Sequence, residues 1–238
     1  CGVLLSVLFL LSWNQSGMYS DAETLYRTTI RKNPDCWMAY HNLGILLAKM
    51  GRTDEAMAYY LKALELNPNN AGAHHNLGTL LAKMGRTNEA MIHLQKAVEL
   101  KPNNAEAHNN LGLLLTNMGR TNEAMVHLLK AVELNPNNAG SHNNLGILLS
   151  RMGRTDEAIA HYRKAMEINP YEIGILENFV FALEQKGQWT EATLAVQNAL
   201  ESAKSAGDEV RATMIAQTLS ELDEAINSSR ANSKTHVQ

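Results

Sequence analysis

The sequence predicts an all-α protein, an α-α solenoid of antiparallel helix pairs closed by a C-terminal capping helix. Three observations lead there. The phrase MGRTDEA begins at Met50 and Met152, its variant MGRTNEA begins at Met84 and Met118, and each start lies 34 residues after the last. The five prolines, Pro34, Pro68, Pro102, Pro136 and Pro170, keep the same interval. Only 5% of residues are aromatic, so the core is built from Leu, Ala, Met and Ile, which favours helices. Strict self-similarity at this period marks a helical repeat array, in which each unit buries its apolar face against its neighbours.

Each element of one period, 71–104, has a physical reason. HNLGTLLAKM has the apolar spacing of a helix, GRT interrupts it, NEAMIHLQKAVEL resumes it and KPNN stops it. Gly51, Gly85, Gly119 and Gly153 are placed to end the first helix in the left-handed conformation. Thr53 and its equivalents are expected to cap the second helix, with the following Asp or Asn and Glu in its first turn, where a carboxylate meets the positive end of the dipole. The residue before proline avoids the α region, which ends that helix. Gly44, Gly78, Gly112 and Gly146, with Ala56, Ala90, Ala124 and Ala158, are small enough to let the two helices approach closely. Met50, Met84, Met118 and Met152 are expected to fill gaps between units.

Leu43, Gly44, Leu47, Gly51, Ala56, Tyr60, Ala63 and Pro68 stand at the signature spacing of the tetratricopeptide repeat (TPR), and the chain resembles that family in four units, 37–70, 71–104, 105–138 and 139–172. Thr53 departs from it, since the family usually carries an aromatic after the turn glycine. The resemblance implies a right-handed superhelix that serves as a protein-protein interaction module. Counting outward, 3–36 reads as a divergent first repeat. The stretch 173–206 reads as a degenerate last one, which keeps Gly187, Trp189, Ala192 and Ala199 but has Val180 for the helix glycine and Lys204 for the proline. A capping helix is expected over 207–227, with Val210, Met214, Leu219, Leu222 and Ile226 along its buried face. The remainder, 228–238, reads as a disordered tail.

The opening CGVLLSVLFLLSW, 1–13, has no charge. It is shorter than the roughly 20 residues that span a bilayer, and the chain begins without Met. The segment is read as the end of a transmembrane helix, with an apolar cap and a secretory signal remnant as the alternatives. It would form the first helix of the unit 3–36, whose second helix, SDAETLYRTTIRK, takes Ser20 as its cap. The run 10–44 resembles the junction in transmembrane-and-TPR proteins of the O-mannosyltransferase type, through Trp13, Gln15, Ser16, Glu23, Thr24 and Leu25. That resemblance implies a membrane glycosyltransferase upstream, whose catalytic carboxylates lie outside this chain. The protein is then membrane-associated; without such a region it is expected to be cytoplasmic.

A net charge of -3 lacks the basic excess that phosphate neutralisation needs, so no nucleic acid is expected as partner. Cys1 and Cys36 form neither a metal-ligand spacing nor a disulfide framework. There is no Ser/His/Asp set, no Gly-rich phosphate loop and no paired carboxylate, so neither catalysis, a cofactor nor a small-molecule substrate is expected of this chain. His93, His127 and His161 recur once per unit, about 10 Å apart in packed repeats, too far for ligands that each sit about 2 Å from a shared ion. His74 and His75 are neighbours that point apart on a helix. No metal is expected.

The first helices of such an array line its concave side. The sixth place of successive units holds Asn42, Asn76, Asn110, Asn144 and Asn178, and the fifth holds His41, His75, Asn109 and Asn143. An asparagine at the sixth place is common in tetratricopeptide repeats, where it satisfies local backbone groups; the row of five also resembles the asparagine ladder of O-GlcNAc transferase, which implies amides that grip the backbone of an extended peptide. An amide carries both donor and acceptor, so such a grip ignores sequence. Repeats about 10 Å apart and a chain advancing about 3.3 to 3.6 Å per residue put one rung at roughly every third peptide residue. Lys49, Lys83 and Arg151, with Asn117 between them, stand at the thirteenth place, where they read either as solvated side chains at a helix end or as a hint of tolerance for acidic peptides. The lysines and amides that grip chaperone tails are lacking, because the ninth place holds Ile45, Thr79 or Leu113 and the second Met38, Gly72, Glu106 or Gly140. The expected partner is a protein or extended peptide, recruited either for a membrane glycosyltransferase or by a free-standing soluble scaffold.

Overall fold

The computed structural model describes residues 21–235, with side chains through 228. The apolar opening 1–13, the first helix of the unit 3–36 and Ser20 lie outside the described residues. Among those described there are twelve helices and no strand. They are α1 (Ala22–Lys32), α2 (Trp37–Lys49), α3 (Thr53–Leu66), α4 (Ala71–Lys83), α5 (Thr87–Leu100), α6 (Ala105–Asn117), α7 (Thr121–Leu134), α8 (Ala139–Arg151), α9 (Thr155–Ile168), α10 (Ile173–Gln185), α11 (Trp189–Ser205) and α12 (Glu209–Thr235). None of them is long and apolar enough to cross a membrane. The chain divides into two compact units, one through Leu111 and one from Gly112.

In the first unit α2 packs on α3 and α4 on α5, while α2 also touches α4. Leu43, Leu47, Leu77, Leu81 and Leu94 are fully or almost fully buried, each contributing on the order of 1.5 to 3 kcal/mol of burial. The paired helices meet at the glycines. A Cβ added to Gly44 would lie 2.7 Å from the Tyr60 ring, and one added to Gly78 would lie 2.7 Å from Leu94 Cγ. In the second unit the same approach recurs, with Gly112 against Leu128 at 2.6 Å and Gly146 against Tyr162 at 2.5 Å. The turn glycines Gly51, Gly85, Gly119 and Gly153 all carry φ between 73° and 76°, the left-handed region that a side chain resists.

The second-helix caps differ from the sequence expectation. The N-caps are Arg52, Arg86, Arg120 and Arg154, with no side-chain capping bond. Thr53 stands one place inside the helix, and its hydroxyl donates to the Gly51 carbonyl at 3.2 Å. The physical reason is the tight turn: Arg52 N donates back to the Leu47 carbonyl at 2.9 Å, so the next helix starts at once. Side-chain caps appear on first helices instead, where Asn70 accepts from Ala73 N at 3.1 Å and Asn138 from Ser141 N at 2.8 Å. On α1 the cap is Asp21, which accepts from Thr24 N at 2.8 Å, rather than Ser20.

Three further expectations are corrected. Met50 is 56% exposed at the end of α2, so it fills no gap between units. On α12, Val210 and Met214 face outward at 72% and 50% exposure, while Ala212, Ile215 and Leu222 are buried. A stripe of three- and four-residue steps runs through Ala212, Ile215, Leu219, Leu222 and Ile226, and Val210 and Met214 lie on the far side of the helix. The same helix continues to Thr235, through the stretch read as a tail, because neither Gly nor Pro interrupts it. Loss of the repeat proline acts likewise on α11, which spans 17 residues against 14 in α9 and stops at Gly207, φ 71°.

Candidate functional site

Between α2 and α4, over Thr53 and Tyr60 of α3, lies a cleft of about 500 Å³. It brings together four residues predicted from sequence, Lys49, His75, Asn76 and Lys83, and adds Thr79, which was not predicted. Repeat periodicity explains the convergence, since residues 34 apart occupy the same face of neighbouring first helices.

The rungs are built across that face. Asn76 Nδ2 lies 3.0 Å from His41 Nε2, so the amide donates and the ring accepts, leaving the imidazole proton on Nδ1. Among the described residues none donates to the Asn76 amide oxygen. Asn110 is more heavily engaged: its Nδ2 meets His75 Nε2 at 2.9 Å and Thr79 Oγ1 at 3.0 Å, and its Oδ1 accepts from Asn109 at 3.3 Å. Burial pushes the His41 and His75 pKa values down, with the charge of Glu106 opposing at His75. Burial likewise pushes the Tyr60 hydroxyl up to about 12. The rings in the rungs are therefore neutral acceptors.

In the second unit the rung is all amide, with Asn178 Nδ2 donating to Asn143 Oδ1 at 3.0 Å. Arg151 is tied down. Its guanidinium donates to the Thr116 carbonyl at 2.9 Å and to Asn117 Oδ1 at 3.4 Å, at the C-terminal end of α6 where a cation meets unfilled carbonyls. Asn42 is exposed and Asn144 half-buried. The asparagines are thus not a row of free amides, because several spend donors on the preceding first helix.

Charge is distributed unevenly. On the second helices Arg52 holds Glu55 at 2.6 Å, Arg86 holds Glu89 at 2.6 Å, Lys62 holds Glu65 at 2.7 Å and Lys96 holds Glu99 at 3.0 Å. Hydrogen bonds from the arginines keep the Glu55 and Glu89 carboxyls below the usual range. Lys49 and Lys83 have no ion-pair partner among the described residues, and no Asp or Glu lines their cleft.

Sequence reasoning missed two histidine pairs. His74 and His93 place their Nδ1 atoms 3.0 Å apart, and His142 and His161 repeat this at 3.0 Å. His74 Nε2 lies 3.0 Å from the Pro68 carbonyl and His142 Nε2 lies 3.0 Å from that of Pro136, so both Nε2 atoms carry protons and both Nδ1 atoms accept. The ring centroids are 5.2 Å and 5.3 Å apart, a head-to-head approach that suits a shared proton. The signal was a recurring spacing of 19 residues across the interhelix turn. Among the described residues no group of three or more possible ligands could hold a metal ion.

Models of the tetratricopeptide repeat match residues 37–70, 59–91 and 103–170, and a further TPR repeat model matches 80–119. Among solved structures, MamA protein is 30% identical, with 72% of this chain and 93% of that one covered and a TM-score of 0.60. Pseudomonas aeruginosa PilF is 24% identical over 78% of this chain and 91% of that one, TM-score 0.63. YrrB, described as a TPR protein with an unusual peptide-binding site, is 24% identical over 81% and 97%, TM-score 0.59. These last two speak for the fold alone. No curated protein sequence gives a match. With its repeat of 34 residues, its left-handed turn glycines and these neighbours in agreement, the chain belongs to the tetratricopeptide-repeat family.

Proposed function

We propose that this chain is a protein-interaction scaffold that holds an extended peptide against its first helices, with the cleft between α2 and α4 as a principal contact. The observation that carries the reading is that Asn76, whose amide oxygen receives no bond from the described residues, lines one cleft together with Lys49 and Lys83. An acceptor there suits a peptide N–H, and each such bond is worth about 0.5 to 1.5 kcal/mol net, so affinity comes from several contacts together. The peptide-binding site described for YrrB supports the same use of the fold. In this reading Asn109 and Asn110 serve the first unit chiefly by holding its first helices in register, and Asn143, Asn144 and Asn178 do the same within the second.

The test is selection of peptides from a random library on the wild-type chain, followed by measurement of the selected peptides on Asn76→Ala. Loss of one hydrogen bond should weaken binding about threefold to tenfold with little change in thermal midpoint. Unchanged affinity, or protection mapped to the second helices, overturns the assignment.

A second reading makes the scaffold the acceptor-recruiting part of a membrane glycosyltransferase. The run 10–44, with Trp13, Gln15, Ser16, Glu23, Thr24 and Leu25, favours it. Sequencing the gene upstream of Cys1 decides: several long apolar segments with an acidic pair in their first loop support it, and a nearby start codon removes it.

A further inference from the structure

We propose that the cleft between α2 and α4 selects acidic peptides, placing two carboxylate side chains three residues apart on Lys49 and Lys83. The inference rests on the peptide-binding reading and names the class of peptide.

Charge complementarity carries it. The chain as a whole is acidic, at -3, and its second-helix cations Arg52, Arg86, Lys62 and Lys96 are each neutralised by a glutamate of their own helix. The cleft reverses that balance with two exposed ammonium groups and no carboxylate in its lining.

Spacing sharpens it. α2 and α4 touch and are bridged by Asn76 and His41 at 3.0 Å, and packed helices lie about 8 to 10 Å axis to axis. Lys49 and Lys83 hold equivalent places on the two. A polyproline II chain advances about 3.1 Å per residue with three residues per turn, so side chains three apart project from one side about 9 Å apart. In a β-strand, side chains three apart point to opposite faces. The cleft therefore fits acidic residues at every third place of a polyproline II segment, with an intervening backbone N–H on Asn76 Oδ1.

The test uses the full chain and three fluorescent probes: a Glu-Pro-Ala repeat, the Gln-Pro-Ala repeat, and a peptide of the first composition with its glutamates adjacent. Anisotropy should show the Glu-Pro-Ala repeat binding about tenfold tighter than the glutamine repeat, the scale of two exposed ion pairs. That advantage should shrink as salt is raised. Lys49→Gln with Lys83→Gln should bring the first probe down to the affinity of the second without lowering the thermal midpoint. Equal binding of the glutamate and glutamine repeats, or a preference that survives the double substitution, overturns the acidic selectivity. Equal binding of the adjacent-glutamate peptide overturns the spacing. The two readings separate cleanly: glutamine-repeat binding that falls on Asn76→Ala keeps the cleft as a peptide site when acid preference fails, whereas no binding of any probe sinks both.

Discussion

Lys83 at the end of α4 and Arg151 at the end of α8 occupy the same place in their repeats. Lys83 faces a cleft with no counter-ion, while Arg151 is spent on the Thr116 carbonyl at 2.9 Å and on Asn117 at 3.4 Å. The chemistry of the head groups accounts for the difference. A planar guanidinium reaches two acceptors at once, whereas an ammonium is a hydrated point charge on a flexible stem. Asn76 and Asn110 repeat the lesson, since among the described residues none donates to the Asn76 amide oxygen, whereas the Asn110 amide makes three hydrogen bonds. Place in a repeat sets which face a side chain shares; neighbours decide whether it serves the fold or a ligand.

The largest effect expected on this comparison comes from beneath it. Gly78→Ala sets a Cβ 2.7 Å from Leu94 Cγ and 3.0 Å from Leu94 N. Such overpacking should cost about 1 to 3 kcal/mol in urea unfolding and spread α4 from α5. Gly174→Ala, where nothing lies within 4 Å of the added Cβ, should be neutral or stabilising within about 1 kcal/mol. Equal losses in the two variants would contradict the close-approach account.

Next come the amides. Asn110→Ala removes both donors and the acceptor from a half-buried cluster and should cost about 1 to 3 kcal/mol. Asn76→Ala breaks one bond and should cost about 0.5 to 1.5 kcal/mol while weakening peptide binding more than Asn110→Ala does per unit of stability lost. Denaturant titration and peptide anisotropy on the same samples read both. If Asn76→Ala proved the more destabilising, the division between ligand-facing and structural rungs would fail.

The two cations follow. Arg151→Ala should cost about 1 kcal/mol through the Thr116 carbonyl, with the exposed guanidinium keeping the figure small. Lys83→Ala should stay within about 0.5 kcal/mol. Matched losses would erase the contrast.

Acid should act on the rings. Burial lowers the pKa of His41, His75, His93 and His161 from 6.5, and at His93 and His161 the partner rings His74 and His142 add to it while Glu89 and Glu157 oppose. The unfolded chain then binds more protons than the folded one once pH drops through 6.5. Stability contributed by the neutral rings is present above that value and is lost as pH falls toward the folded pKa values. The depressed glutamates Glu55 and Glu89 act in a lower window, below their usual 4.5. The thermal midpoint should therefore fall between about pH 7.5 and pH 5.5, and His93→Asn with His161→Asn should flatten the slope. A midpoint that is level or rises over that range goes against neutral paired rings.

The repeat length, the helix pairs and the turn glycines were legible in the sequence because each depends on local chemistry repeated at one interval. The close approach at Gly44 and Gly146 was legible for the same reason. The true N-caps were not, since the cap on α3 is set by where a left-handed glycine releases the chain, and Arg52 is no usual capping residue. The buried face of α12 was misread because Ala212 is small and Val210 conspicuous. For the site, periodicity placed Lys49, His75, Asn76 and Lys83 on one face, but only side-chain geometry shows that Asn110 and Arg151 are already occupied. The His74 and His93 contact joins two helices across a turn, which the period along a single helix does not reveal.

The central claim is that the face of α2 and α4 is where a peptide lies. An NMR titration of the full chain with the Glu-Pro-Ala repeat, following backbone amides and the Asn76 side-chain amide, tests it most directly. The account predicts that shifts concentrate at Lys49, Asn76, Thr79 and Lys83 and spare Arg86 and Lys96 on α5. Shifts that instead follow the paired charges of the second helices, with Asn76 unmoved, would contradict it.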